Sequence, residues 1–153
     1  MTLALQLTRD KQDAEDLYQE VFMKAYKAIG SFRLESEFFT WLYRITVNSF
    51  YNLQRKASRI QPQESLVPEK DSTHDVVDES IPSAAKEEIQ HAVTNALNQL
   101  PTQQKTAFVM KHYEGLKIRE IAKIMDLSEG TVKRDLFRAM EKLRPMLKEY
   151  RYA

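Results

Sequence analysis

Residues 118–143 read IREIAKIMDLSEGTVKRDLFRAMEKL, two short amphipathic patterns separated by a break at Leu127-Ser128-Glu129-Gly130. Ile118, Ile121, Ala122 and Met125 recur at helical spacing, which gives the first pattern one apolar face. The second pattern begins with Ser128 as the expected N-cap and carries Val132, Leu136, Ala139, Met140 and Leu143 on a buried face. Lys133, Arg134, Phe137, Arg138 and Lys142 fall on its other faces. A short helix, a tight turn and a cation-rich second helix make a helix-turn-helix, whose second helix enters the major groove of DNA. A plain pair of packed helices with a solvated basic face makes the same pattern, so the remaining chain has to decide between them.

The 153 residues allow one medium domain or two small ones. With 42% hydrophobic residues, 29% charged residues and only three glycines, the composition is that of a mostly helical protein. No apolar run approaches the roughly 20 residues of a membrane-spanning helix, and the apolar start lacks the features of a signal peptide. The absence of cysteine excludes a disulfide framework and suits a reducing cytoplasm. Net charge is only +1, but it is unevenly spread. Residues 1–60 carry nine Lys/Arg against seven Asp/Glu, residues 61–86 two against six, and residues 87–153 twelve against nine. Two mildly basic ends flank an acidic middle, which predicts DNA binding that is weak alone and assisted by a partner.

In chain order, residues 1–7 look like the end of a helix with too few leucines to define a face. Asp10 is placed to cap a helix reaching Gly30, with Ala14, Leu17, Tyr18, Val21, Phe22, Ala25 and Ile29 on its apolar side. Asp13, Asp16 and Glu20 lie opposite, where the positive end of the helix dipole already favours them. An acidic docking face for a basic partner is the functional reading of the same residues. The loop 30–37 exposes Phe32 and Arg33, and a helix follows over residues 38–56. Seven aromatics between Phe32 and Tyr51 exceed what one small core can bury. Interleaved with Arg33, Arg44, Arg55 and Lys56, they suit a surface that stacks unpaired bases, or else a crowded core with a partner interface. Asn48, in mid-helix, is placed to read a base edge.

Residues 57–82, rich in Pro, Gln, Ser and acidic residues, read as a flexible tether. Its roughly 26 residues span at most about 85–90 Å. Helical periodicity returns at Ser83, ends at Pro101, restarts at Thr102 and stops at Glu114-Gly115, ahead of the helix pair. The expected fold is therefore all-α: helical domains over 1–58 and 85–153 joined by an acidic linker, 59–84. No catalytic set, glycine-rich phosphate loop, metal site or cofactor is expected. The Glu88/His91 spacing lacks the second copy a di-iron bundle requires.

Taken together, these motifs resemble the extracytoplasmic-function group of the sigma-70 family. Residues 13–22 (DAEDLYQEVF), Phe32-Arg33, residues 39–45 (FTWLYRI) and Asn48 look like the family's region two. Residues 97–101, Tyr113-Glu114-Gly115, Glu120-Ile121-Ala122 and Gly130-Thr131-Val132-Lys133 look like region four. The resemblance implies core RNA polymerase as partner, held by Asp16, Gln19 and Glu20 on the clamp helices of its largest subunit and by region four on the flap of the second. It implies base capture and melting at the −10 element by Phe32, Arg33, Phe38 and Trp41, with Asn48, Tyr51, Asn52, Arg55 and Lys56 on the adjoining reading face. It implies −35 reading by Lys133, Arg134, Phe137 and Arg138, with Ser128 and Thr131 on phosphates. An anti-sigma factor and a cytoplasmic location complete the expectation. Asp135 and Met140 stand where the family usually has arginines, and Asp135 is expected to weaken the −35 contacts. The family also carries most of a further helix before the position of Leu3, so a weakened first-half core is expected. A stand-alone helix-turn-helix regulator with an unrelated N-terminal half is the alternative.

Overall fold

The computed structural model describes residues 2–32, 37–60 and 83–150. All regular structure among them is helical: α1 (Thr2–Thr8), α2 (Lys11–Ala28), α3 (Phe38–Ile60), α4 (Ser83–Asn98), α5 (Thr102–His112), α6 (Ile118–Met125) and α7 (Glu129–Met146). Short 3₁₀ turns follow α2 and α7. The start of the chain is more structured than its few leucines predict, since Leu3, Ala4 and Leu7 are all buried. Arg9 takes a left-handed conformation (φ 55°) between α1 and α2, and Asp10 then caps α2 by accepting from the Asp13 amide at 2.9 Å. α3 runs to Ile60 and α4 starts at Ser83, so both ends of the expected linker are helical. The rest of it, 61–82, lies outside the described residues, as does Arg33.

One apolar core draws on both halves of the chain. Leu7 from α1, Leu17 from α2 and Phe50 from α3 share it with Val109 and Met110 of α5, Ile121 of α6 and Val132 of α7. Phe50 has no exposed surface, so truncating it to alanine would cost about 3–5 kcal/mol. A smaller cluster of Ala96, Leu97, Leu100, Ala139 and Leu143 fixes α4 against α7. α3 lies against α6, and α1 against α5, so the two halves are closed on one another.

Polar contacts reinforce this closure. Arg44 donates from Nε and Nη2 to the Lys123 carbonyl, at 2.8 and 2.6 Å. That carbonyl belongs to the last turn of α6, where the helix dipole favours a cation. Tyr43 donates to Glu114 at 3.0 Å, and burial followed by this bond pushes its pKa up to about 12. Arg9 donates to the Tyr113 hydroxyl at 3.2 Å and lies over its ring.

Candidate nucleic-acid interface

The turn between α6 and α7 has the geometry a helix-turn-helix requires. Asp126 ends α6 in the left-handed region (φ 55°), and the Leu127 amide bonds back to the Ala122 carbonyl at 2.9 Å. Ser128 then caps α7, its Oγ accepting from the Thr131 amide at 3.1 Å and lying 2.8 Å from the Thr131 hydroxyl. Beyond this cap, Lys133, Arg134, Phe137 and Arg138 are all exposed, Phe137 to 64%. No described carboxylate lies within ion-pair distance of these three cations. A row of unpaired cations with one exposed ring fits a phosphate-lined groove better than a folded core.

Asp135 does not belong to this face. It is 4% exposed, and Gln103 on α5 donates to its Oδ2 at 2.6 Å. The expectation that it lowers the charge presented to phosphate is corrected: it falls on the Val132–Ala139–Leu143 side of α7 and points into the protein. Met140 is half-buried.

Around the start of α3, Phe32, Phe38 and Trp41 pack on one another, with centroid separations of 5.1–5.8 Å. Phe39 stands out at 70% exposure. Of the seven aromatics, only Phe50 is wholly buried, and the cluster sits at the edge of the protein. Asn48, Asn52, Arg55 and Lys56 recur at helical spacing and are exposed together. Tyr51 is separated from them. It is half-buried where α3 meets the second half, and burial, then the charge of Asp135, raises its pKa against the lowering pull of Thr106. Arg44, one of the cations the sequence interleaves with the aromatics, is engaged on α6.

On α2, Asp16 and Gln19 are exposed, and Glu20 pairs with Lys24 at 2.7 Å. The apolar stripe is narrower than its periodicity predicts. Ala14, Leu17 and Val21 are buried, but Tyr18, Phe22, Met23, Tyr26 and Ile29 are not. Residues 14, 17 and 21 trace one line on the helix; 18, 22 and 29 lie a step of about 100° round it, beyond the reach of α1 and α3. The outcome is an apolar surface beside the acidic one, which sequence periodicity assigns to the core.

The fold is thus an all-helical two-part chain: an exposed cationic second helix of a helix-turn-helix on one half, an exposed amide and aromatic face on the other, and a shared core. The family description "Sigma-70 region 2" matches residues 1–60, and "Sigma-70, region 4" matches residues 90–143. RNA polymerase sigma-H factor of Pseudomonas aeruginosa is 36% identical over 157 aligned residues, covering 96% of this chain and 81% of that protein. The ECF RNA polymerase sigma-E factor of Haemophilus influenzae is 39% identical over 153, covering 92% and 81%. Among solved structures, the sigma factor RpoE of Bartonella quintana, in complex with the anti-sigma factor NepR, superposes with a TM-score of 0.74 at 28% identity. That likeness covers 96% of this chain and 88% of the other. CnrH, in complex with the cytosolic domain of CnrY, shares the fold with a TM-score of 0.68 at 24% identity, over 97% and 82%.

The chain belongs to the sigma-70 family, in its extracytoplasmic-function group. It is an alternative sigma factor, a class of non-enzymatic subunit that directs promoter-specific transcription initiation. No described helix is long and apolar enough to cross a membrane.

Proposed function

We propose that this sigma factor divides its work between residues 1–58 and 85–153, with the acidic segment 59–84 as the tether. Exposed Lys133, Arg134, Phe137 and Arg138 read the −35 element in the major groove, while Ser128 and Thr131 hold phosphates at the start of α7. Phe32, Arg33, Phe38 and Trp41 capture an extruded −10 base, and Asn48, Asn52, Arg55 and Lys56 follow the strand. Tyr51 joins them once α3 is freed from the second half. Asp16, Gln19 and Glu20, with their exposed neighbours Phe22 and Tyr26, dock on the clamp helices of core RNA polymerase, and the second half docks on the flap. An anti-sigma factor, as in the complex of the Bartonella relative, holds the closed form in the cytoplasm.

The observation that carries this reading is that α7 exposes Lys133, Arg134 and Arg138 together while the carboxylate set among them, Asp135, is turned inward. Size then supplies a requirement. A 153-residue globule is roughly 40 Å across. Elements a nominal 25 base pairs apart, at about 3.4 Å per pair, are separated by about 85 Å. The closed chain cannot touch both, so the halves must part on the polymerase. The test is reconstitution with core polymerase on a bipartite promoter. Wild type should bind core and start transcripts, and Arg134→Ala with Arg138→Ala should bind core but lose start-site selection. Failure to bind core would instead favour a stand-alone regulator.

A further inference from the structure

Where the halves meet, Thr8 of α1, Phe50 and Gln54 of α3, and Asn98, Leu100, Thr102 and Lys105 of the second half line a cavity of about 280 Å³. None of these lining residues is acidic. Lys105 is 6% exposed, donates to Asn98 Oδ1 at 2.9 Å and lies over the Phe50 ring at 5.8 Å. No described carboxylate pairs with it, and the charge that acts on it is the like charge of Arg9. Burial first, and Arg9 second, pull its pKa down to about 8. Arg9 adds a buried Nε without a partner. α5 begins beside the same cavity at Thr102, after Pro101, with no side chain capping its first amides. A buried ammonium, a neighbouring guanidinium and an open helix N-terminus all contribute positive potential to a space that supplies no negative charge.

We propose that this cavity binds a small oxyanion of the phosphate class, which supplies the missing counter-charge and bridges the two halves. Its volume equals roughly nine waters at about 30 Å³ each, room for a hydrated phosphate but not for a nucleic-acid strand. Because the lining comes from both halves, the anion binds the closed form and not the open one, and multiplies the closed-to-open ratio by one plus the free anion concentration divided by its Kd. The site therefore acts before polymerase docking, and its test needs neither polymerase nor DNA.

The full-length chain is melted in rising inorganic phosphate, with sodium chloride at matched ionic strength as reference and sulfate and acetate as further arms. Phosphate and sulfate should raise the melting temperature of wild type by several degrees beyond chloride, with acetate giving less. Lys105→Met should lose the shift, while Lys105→Arg and the exposed-site Lys11→Met keep it. An equal shift in Lys105→Met, or from chloride alone, would overturn the proposal. Since Lys105→Met can disturb packing on Phe50, wild type labelled at Lys27→Cys and Lys142→Cys is also titrated with phosphate while energy transfer is followed. A rising closed fraction is expected; a distance distribution insensitive to phosphate would overturn the bridging role.

Discussion

The guanidinium of Arg44 closes the C-terminal end of α6 by donating to the Lys123 carbonyl at 2.8 and 2.6 Å. The donor belongs to the half matched as region 2 and the acceptor to the half matched as region 4. The bond exists only while the halves are closed. Arg44 is exposed, so the pair is worth about 1 kcal/mol. Arg44→Ala should therefore raise the open fraction by roughly fivefold and tighten apparent core-polymerase affinity by a similar factor. Energy transfer across the two halves and equilibrium binding to core measure the two effects.

Asp135 offers a sharper contrast between charge and position. Had it faced DNA, Asp135→Ala would strengthen −35 binding. Because Asp135 is itself buried and accepts from the exposed Gln103, its removal loses a hydrogen bond to a charged group and should cost about 1–3 kcal/mol of stability, the Gln103 amide turning to water. Asp135→Arg should cost more, about 3–5 kcal/mol, by burying an unpaired cation. Urea denaturation with salt-controlled promoter binding separates stability from affinity.

The exposed cations of α7 should behave in the opposite way. Lys133→Ala, Arg134→Ala and Arg138→Ala should leave the melting temperature unchanged while weakening holoenzyme binding to promoter DNA. A cation that neutralises one phosphate should, on removal, reduce the slope of log affinity against log salt by about 1. A base-reading side chain should also relax sequence preference at one −35 position, by about 1–3 kcal/mol.

On α2, Phe22→Ala and Tyr26→Ala remove side chains that are 61% and 76% exposed. Their stability effect should stay within about 0.5 kcal/mol. Core-polymerase binding should fall by tenfold or more if these rings lie at the centre of the docking surface. Gel filtration with core polymerase checks this directly.

Stability should vary with alkaline pH in two opposed steps. Lys105 has a folded pKa of about 8, below its ordinary value of 10.5. Between these values the unfolded chain binds more protons, so stability rises with pH, by up to about 3 kcal/mol. Tyr43, with its pKa pushed up from 10.0 to about 12, acts the other way: from about pH 10 the unfolded chain loses its proton first, and stability falls. Denaturation at pH 7–11 should show a maximum near pH 10, and Lys105→Met should abolish the rising limb.

Local chemistry is the most legible part of the sequence. Asp10 and Ser128 cap the helices that their positions predict, because each bond is made within three residues. The helix pair at 118–143 and the start of α5 at Thr102 follow from periodicity and Pro101 in the same way. Position round the helix is less legible. The charge of Asp135 suggests a DNA-facing residue, yet it continues the buried line through Val132, Ala139 and Leu143. The apolarity of Phe22 suggests a core residue, yet it stands a step away from Leu17 and Val21. Closure is not legible at all. Phe50 sharing a core with Met110, or Arg44 finding Lys123, depends on partners 60 or more residues distant, which no local pattern encodes.

The most direct test of the central claim is the distance between the halves, free and on polymerase. The chain has no cysteine, so dyes at Lys27→Cys on α2 and Lys142→Cys on α7 report one pair without further changes. Both sites are exposed. The free protein should show a predominant short distance within the roughly 40 Å of a closed globule, beside a minor open fraction. Bound to core polymerase on a bipartite promoter, it should move to a long distance approaching the ~85 Å separation of the two elements. A short distance retained in a transcribing complex would contradict the requirement that the halves part before this sigma factor reads its promoter.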